Sequence, residues 1–259
     1  MSEAISALRQ IASANDTASR PESSSFVTTI SNLLERVEYR RCDKGEDLED
    51  LYRLRYKAYR TTDMVPLNAS MTIHDEYDET PNSYKFGIFI DGQLASTLRI
   101  HHISPAERRS PSMNVYGDIL EPLLDEGNAM IDPTRFAVDP DFTRLYPQIP
   151  YLTLRLASMA CFHFSAPFCL STIRPDHAAF YRRIFLSEQL GGLRSFPGLN
   201  YSVVLYKANV LAIRERSYAR YPFFFATKAE QRMLFDRPSL GEGAPLTVLP
   251  TAKYLSDAA

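Results

Sequence analysis

The chain has 259 residues, 45% of them apolar, and its 29 Lys and Arg against 31 Asp and Glu give a formal charge of −2. That length and apolar share suit one large domain with tails, and the near-neutral balance excludes a chain-wide positive field for nucleic acid. Three cysteines without a C-x-x-C predict reduced packing thiols and a cytoplasmic protein, and no stretch reaches the roughly 18 apolar residues of a membrane span.

Residues 1–25 lack the cationic start and apolar run of a secretory signal and read as a flexible tail ending in Pro21-Glu-Ser-Ser-Ser25. Val27, Ile30, Leu33, Leu34 and Val37 then recur at helical spacing. A strand starts near Glu38, and a second helix over 47–61 carries Leu48, Leu51, Tyr52 and Tyr59 on one stripe. Arg55 shares that stripe, which makes it either half of a structural ion pair or a ligand clamp. The segment 64–81 reads as an acidic loop holding Asp75 and Asp78, where solvated charge is the ordinary explanation.

Tyr84–Ile90 and Gln93–Ile100 flank Asp91-Gly92, a strong hairpin signal. Alternation puts Ala95, Thr97 and Arg99 on one face, so Arg99 has small neighbours. Residues 104–122, rich in Pro, Ser, Arg and Asn, read as an exposed excursion. The stretch Asn128-Ala-Met-Ile-Asp-Pro-Thr-Arg-Phe-Ala-Val-Asp139 reads as a buried strand interrupted by Pro133, which cannot donate to a ladder. A strand broken there should splay from its neighbour and offer backbone groups to a ligand, with Asp132, Thr134 and Arg135 beside them.

A loop over 139–150 precedes a helix over 151–164 that is apolar nearly all round and therefore buried. Residues 168–174 read as a buried strand, a helix opens at Pro175-Asp176 and closes at Gly191-Gly192, and 200–207 is the last strand. One aromatic helix, 221–235, lies in a C-terminal extension, 211–259, beyond a main domain of 26–210. The fold class is α/β with a mixed sheet. No P-loop, G-x-S-x-G or G-x-G-x-x-G occurs, and His101 and His102 point to opposite faces of a strand, so no metal site is expected.

Leu54-Arg55-Tyr-Lys-Ala-Tyr59, Asp75-Glu-Tyr-Asp78, Ser96-Thr-Leu-Arg99 and Asp132-Pro-Thr-Arg-Phe136 follow one another in an order that resembles the acyl-carrier-dependent branch of the GNAT acyltransferases. That branch holds the acyl-homoserine-lactone (autoinducer) synthases and the long-chain N-acyl amino acid synthases of the FeeM type. Pro175-Asp-His-Ala-Ala-Phe-Tyr-Arg-Arg183 with Gly191-Gly-Leu-Arg-Ser-Phe-Pro197 is similar to the latter, and the absence of tryptophan argues against the S-adenosylmethionine users. The resemblance implies a mostly antiparallel central sheet with a splayed central strand and helices on both faces.

It also implies an acyl group moved from a thioester to an amino acid's amine. Asp132, Thr134, Arg135 and Tyr181 would then be catalytic, Asp132 as base and Tyr181 as proton donor to the thiolate. Arg55, Tyr59, Asp75, Asp78, Arg99 and Phe136 would bind substrate. The loop 139–150 has no glycine and a single arginine, Arg144, which suits coenzyme A pyrophosphate poorly. The donor expected is therefore acyl-phosphopantetheine on acyl carrier protein, met by Arg144, Arg174, Arg182 and Arg183 with Arg194, and no bound cofactor. The lipid product implies peripheral membrane contact. The rival readings are an autoinducer synthase, a coenzyme A-dependent acetyltransferase and a non-catalytic lipid-binding module.

Overall fold

The computed structural model describes residues 24–237 and 247–253; the expected N-terminal tail falls, but for its last two residues, outside them. In chain order the elements are helix α1 (Ser24–Leu34), strand β1 (Val37–Arg41), helix α2 (Glu46–Arg60), a 3-10 turn (Glu76–Glu79), strands β2 (Ser83–Ile90) and β3 (Gln93–Ile103), helix α3 (Pro111–Asp125), strand β4 (Met130–Val138), helices α4 (Pro140–Leu145) and α5 (Ile149–His163) and strand β5 (Phe168–Ile173). A 3-10 turn (Pro175–His177) leads to helix α6 (Ala178–Phe185), strands β6 (Glu188–Ser195) and β7 (Ser202–Asn209), helix α7 (Arg214–Arg220), a 3-10 turn (Pro222–Phe224), helix α8 (Lys228–Phe235) and strand β8 (Thr247–Val248). No described helix is long and apolar enough to cross a membrane.

The strands form one sheet in the order β6-β7-β5-β4-β3-β2-β1-β8, antiparallel except for the β4–β5 pair. Asp91 and Gly92, at φ 50° and 75°, make the tight β2–β3 turn that the dipeptide predicts. A register shift opposite Ile88/Phe89 leaves Ala95 as an extra residue on β3. Ala95 therefore joins Leu98 and Ile100 in the main core rather than following Thr97 and Arg99. Helix α5 crosses that core with nearly every residue buried.

Several expectations change, the loop over 139–150 among them, since those residues hold α4 (Pro140–Leu145) and the first turn of α5. Residues 104–122 are not an exposed excursion: Ser110 caps α3 by accepting from the Met113 N–H at 3.2 Å, and Pro111 occupies the first turn, where its missing N–H costs nothing. Tyr116, Leu120 and Leu124 then bury one face of that helix. Gly191-Gly192 does not close a helix but lies in β6. A Cβ on Gly191 would stand 2.8 Å from the Tyr116 ring, so glycine admits that ring against the strand, and the helix closes instead at Leu186 in left-handed conformation, φ 51°. The described residues of the C-terminal extension hold two helices rather than one, with Phe223 and Phe224 buried in the turn between them.

Candidate active site

β4 and β5 are paired only at Met130↔Phe168 and Ile131↔Cys169. Pro133 lies two residues beyond Ile131 and has no N–H to extend the ladder. On its other side β4 stays paired to β3, with two residues, Arg135 and Phe136, opposite the single Leu98. Arg135 takes φ 53°, a conformation costly for a branched or long side chain and held here by the bulge. The strand thus splays where the sequence places its proline, and its bulge turns the Arg135 side chain toward Asp75.

The splay opens into a cavity of about 180 Å³. Residues 133–138 of β4 form one wall and Thr172, Ile173 and Arg174 the other, with Tyr59, Tyr181 and Tyr201 contributing rings. A second cavity of about 30 Å³ adjoins it, lined by Leu98, Leu154, Ala157, Phe185 and Val210. Pro133, Phe136, Ile173 and Tyr181 border both spaces. The whole depression is apolar with few polar groups, the usual character of a small-molecule site.

Its polar end is an ion cluster. Arg99 pairs with Asp75 at 2.5 Å and with Asp78 at 3.0 Å, Arg135 reaches the other oxygen of Asp75 at 2.5 Å, and Arg55 holds Asp78 at 2.9 Å. Thr134 Oγ1 accepts from Arg99 Nε at 3.1 Å. Burial alone would raise the Asp75 and Asp78 carboxyls, but the guanidiniums outweigh it and hold both below the ordinary carboxylate range. Burial, reinforced by the Arg99 charge, pushes the neighbouring His101 imidazole down to about 3, so it is neutral at physiological pH. Asp75 and Asp78 are not solvated loop charge, although Glu76 and Glu79 are exposed: Asp78 is 1% exposed, and its side chain closes a capping box with Asp75.

The expected site residues divide by position. Tyr59, Arg99, Thr134, Arg135, Phe136 and Tyr181 line the main cavity. Arg55, Asp75 and Asp78 stand behind them and orient Arg99 and Arg135; two nitrogens of Arg55, Nε and Nη2, are buried without a hydrogen-bond partner. Asp132 lies off the cavity wall. Its carboxylate is fully buried and accepts from the Ser112 N–H at 3.1 Å and from Ser112 Oγ at 2.7 Å, so the residue expected to be the base does not itself line the cavity. Burial raises this carboxyl, partly opposed by the serine hydrogen bonds. Ser112 and Thr172, joined by a 2.6 Å hydroxyl contact, are residues that no motif or spacing in the sequence singles out.

Among the basic residues, Arg174 lines the cavity and pairs with Asp176 at 3.0 Å, and Arg194 pairs with Asp118 at 2.5 Å. Arg183 donates to the Tyr151 hydroxyl at 3.3 Å, while Arg144 and Arg182 are exposed. No group of three His, Cys, Asp or Glu among the described residues is placed to hold a metal.

The model of the family described as N-acyl amino acid synthase FeeM matches residues 50–209. Among solved structures, FeeM from uncultured soil microbes is 18% identical with a TM-score of 0.59, covering 71% of this chain and 97% of that one. The coenzyme A-dependent acyl-homoserine-lactone synthase BjaI, solved with MTA, is 12% identical with a TM-score of 0.52, covering 83% and 93%. An uncharacterized protein from Bacillus halodurans is 11% identical with a TM-score of 0.51, covering 73% and 92%. These likenesses establish the GNAT-like fold. No curated protein matches the sequence.

Proposed function

The chain belongs to the FeeM family of N-acyl amino acid synthases, and from that premise we propose that it moves a long-chain fatty acyl group from acyl carrier protein to the amino group of an amino acid. One observation carries the reading: an apolar cavity in the β4–β5 splay, adjoined by a smaller apolar one, has Arg99 and Arg135 in its lining, a combination that suits a fatty acyl chain together with a carboxylate-bearing acceptor.

The acyl chain runs along the apolar wall past Phe136 toward the smaller cavity. At about 0.8 kcal/mol per buried methylene, roughly ten methylenes contribute about 8 kcal/mol of gross driving force, enough for chain burial to govern donor choice. The acceptor carboxylate meets the forked donors of Arg99 or Arg135, beside Tyr59 and Thr134, with Arg55, Asp75 and Asp78 holding those forks in place. Acceptor and thioester then lie together, which converts an encounter of two solutes into a local step.

The amine attacks the thioester carbonyl, the C–N bond forms and the C–S bond breaks. A backbone N–H near the bulge at Arg135 stabilises the oxyanion. Asp132, acting through the groups between it and the cavity, takes the first ammonium proton; Tyr181, whose hydroxyl burial keeps protonated, gives its proton to the departing thiolate and recovers one from the new amide nitrogen. Protein-borne phosphopantetheine is preferred over coenzyme A because the start of α4 is already filled by Asp139, which accepts from the Asp141 N–H at 2.9 Å and is paired with Lys57. Pro150 also removes a donor from the start of α5. The exposed Arg144 and Arg182, with Arg174 and Arg183, suit an acidic carrier surface.

Mass spectrometry of lipid extracts from bacteria expressing the chain, beside Asp132→Asn and an empty vector, tests the reading. New N-acyl amino acids lost in the variant are expected and would identify head group and chain length together. Acyl-homoserine lactones, or folded protein with no acylated product in the presence of charged carrier, would overturn it.

A further inference from the structure

Asp132 is the one carboxylate at the splay with no ion-pair partner among the described residues, and it is fully buried behind the cavity wall. Ser112 and Thr172 lie between it and that wall. Ser112 Oγ donates its single proton to Asp132 Oδ1 at 2.7 Å. In the contact between Ser112 Oγ and Thr172 Oγ1, 2.6 Å long, Thr172 must therefore be the donor. Thr172 lines the cavity, and with its own proton turned inward it presents only lone pairs to whatever lies there.

We propose that Thr172 is the residue that receives the acceptor's ammonium, and that Thr172 and Ser112 form a two-hydroxyl relay carrying its proton to Asp132. The inference rests on the N-acyltransfer reading and goes beyond it by naming the contact atom and the proton path. An acceptor-only hydroxyl selects a group that is purely a donor, which an ammonium is and a substrate hydroxyl or carboxylate is not. The ammonium proton passes to Thr172 Oγ1 as the Thr172 proton passes to Ser112 Oγ and the Ser112 proton to Asp132 Oδ1. The released amine attacks, C–N forms, C–S breaks, and a second N–H proton ends on the departing sulfur. Asp132 then returns the first proton to solvent along the same path, so the turnover yields amide, thiol and one proton.

The groups facing Asp132 pull its proton affinity in both directions, with burial prevailing. From β3 come Arg99, whose charge opposes protonation of Asp132, and His101, which is kept neutral; α3 contributes the hydroxyls of Ser110 and Ser112, and β5 that of Thr172. Burial raises the Asp132 carboxyl, which makes it a better proton acceptor than a solvated aspartate. Thr172 touches the substrate and is catalytic in that sense, whereas Ser112 and Asp132 act through it.

The test uses the purified full chain with tetradecanoyl-acyl carrier protein and a mixture of proteinogenic amino acids, following thiol release and N-acyl product across pH. Thr172→Val and Ser112→Ala should each lower kcat by about 100-fold and move the acidic limb of the pH profile up toward the amine's own pKa. The deficit should shrink above the amine's own pKa, and Thr172→Ser should restore rate and limb. A wild-type rate and an unchanged limb in both variants would overturn the relay while leaving N-acyltransfer intact; a wild-type protein that forms no N-acyl product would sink the underlying reading. Should the variants not fold, the solvent isotope effect on single-turnover transfer by the wild type decides: a curved dependence on deuterium fraction is expected for several protons in flight, and a linear one overturns the relay.

Discussion

Arg155 and Glu230 form an ion pair in which neither side chain has exposed surface, while Arg55, Arg99 and Arg135 with Asp75 and Asp78 form a larger cluster of the same residue types on another side of the sheet. The first is closed: Arg155 also donates to the Phe223 and Phe225 carbonyls, and Glu230 accepts from the Thr251 N–H at 2.9 Å. The second is open. Arg99 and Arg135 line the cavity, and a quarter of the Asp75 side chain is exposed. A closed cluster fastens one part of the chain to another, here the C-terminal extension to α5. An open one leaves charged groups facing the cavity.

The largest effect that separates them is on stability. Glu230→Ala leaves the Arg155 charge buried without a counter-ion and frees Thr251, and should cost about 3–5 kcal/mol, lowering the melting temperature by roughly 10 °C or more. Acyl transfer measured below that transition should be retained; a loss of activity without a loss of stability would erase the distinction. Asp75→Asn should do the converse, cutting acyl transfer at least about tenfold because Arg99 and Arg135 lose their common carboxylate, with a stability loss of only about 1–2 kcal/mol because Asp78 still pairs with Arg99. The smallest effect is on acid tolerance. Asp75 and Asp78 have folded-state pKa values below their unfolded ones, so their contribution is present above the ordinary carboxylate pKa of about 4 and is lost as pH falls through and below it. Urea midpoints measured from pH 6 down to 3 should therefore fall less steeply in Asp75→Asn than in the wild type.

Legibility from sequence followed the range of the interaction. Asp91-Gly92 announces its turn because the signal is local, and the stripe of Leu51, Tyr52, Arg55 and Tyr59 announces the buried face of α2. Pro133 marks the splay because a missing N–H acts wherever the residue sits. Ser110-Pro111 carries a helix-start signal that the surrounding Pro, Ser and Asn content obscures. Gly191-Gly192 resembles a helix stop because nothing nearby in sequence tells of the Tyr116 ring that requires a glycine there. Ser112 is 60 residues from Thr172 and Arg155 is 75 residues from Glu230, and no periodicity or spacing rule links such pairs. The position of Asp132 behind the wall is hidden for the same reason, since α3 has to be recognised before its first turn can be placed over that carboxylate.

The end of the β4–β5 ladder has a mechanical consequence. Past Ile131 and Cys169 the two strands share no further paired residues, and the next link across the gap runs from Asp132 through Ser112 to Thr172. Ser112 belongs to neither strand but to the first turn of α3. The gauge of the cleft at its root is thus set by the reach of one serine side chain, a dimension that a single added methyl group would reset without touching the backbone of either wall.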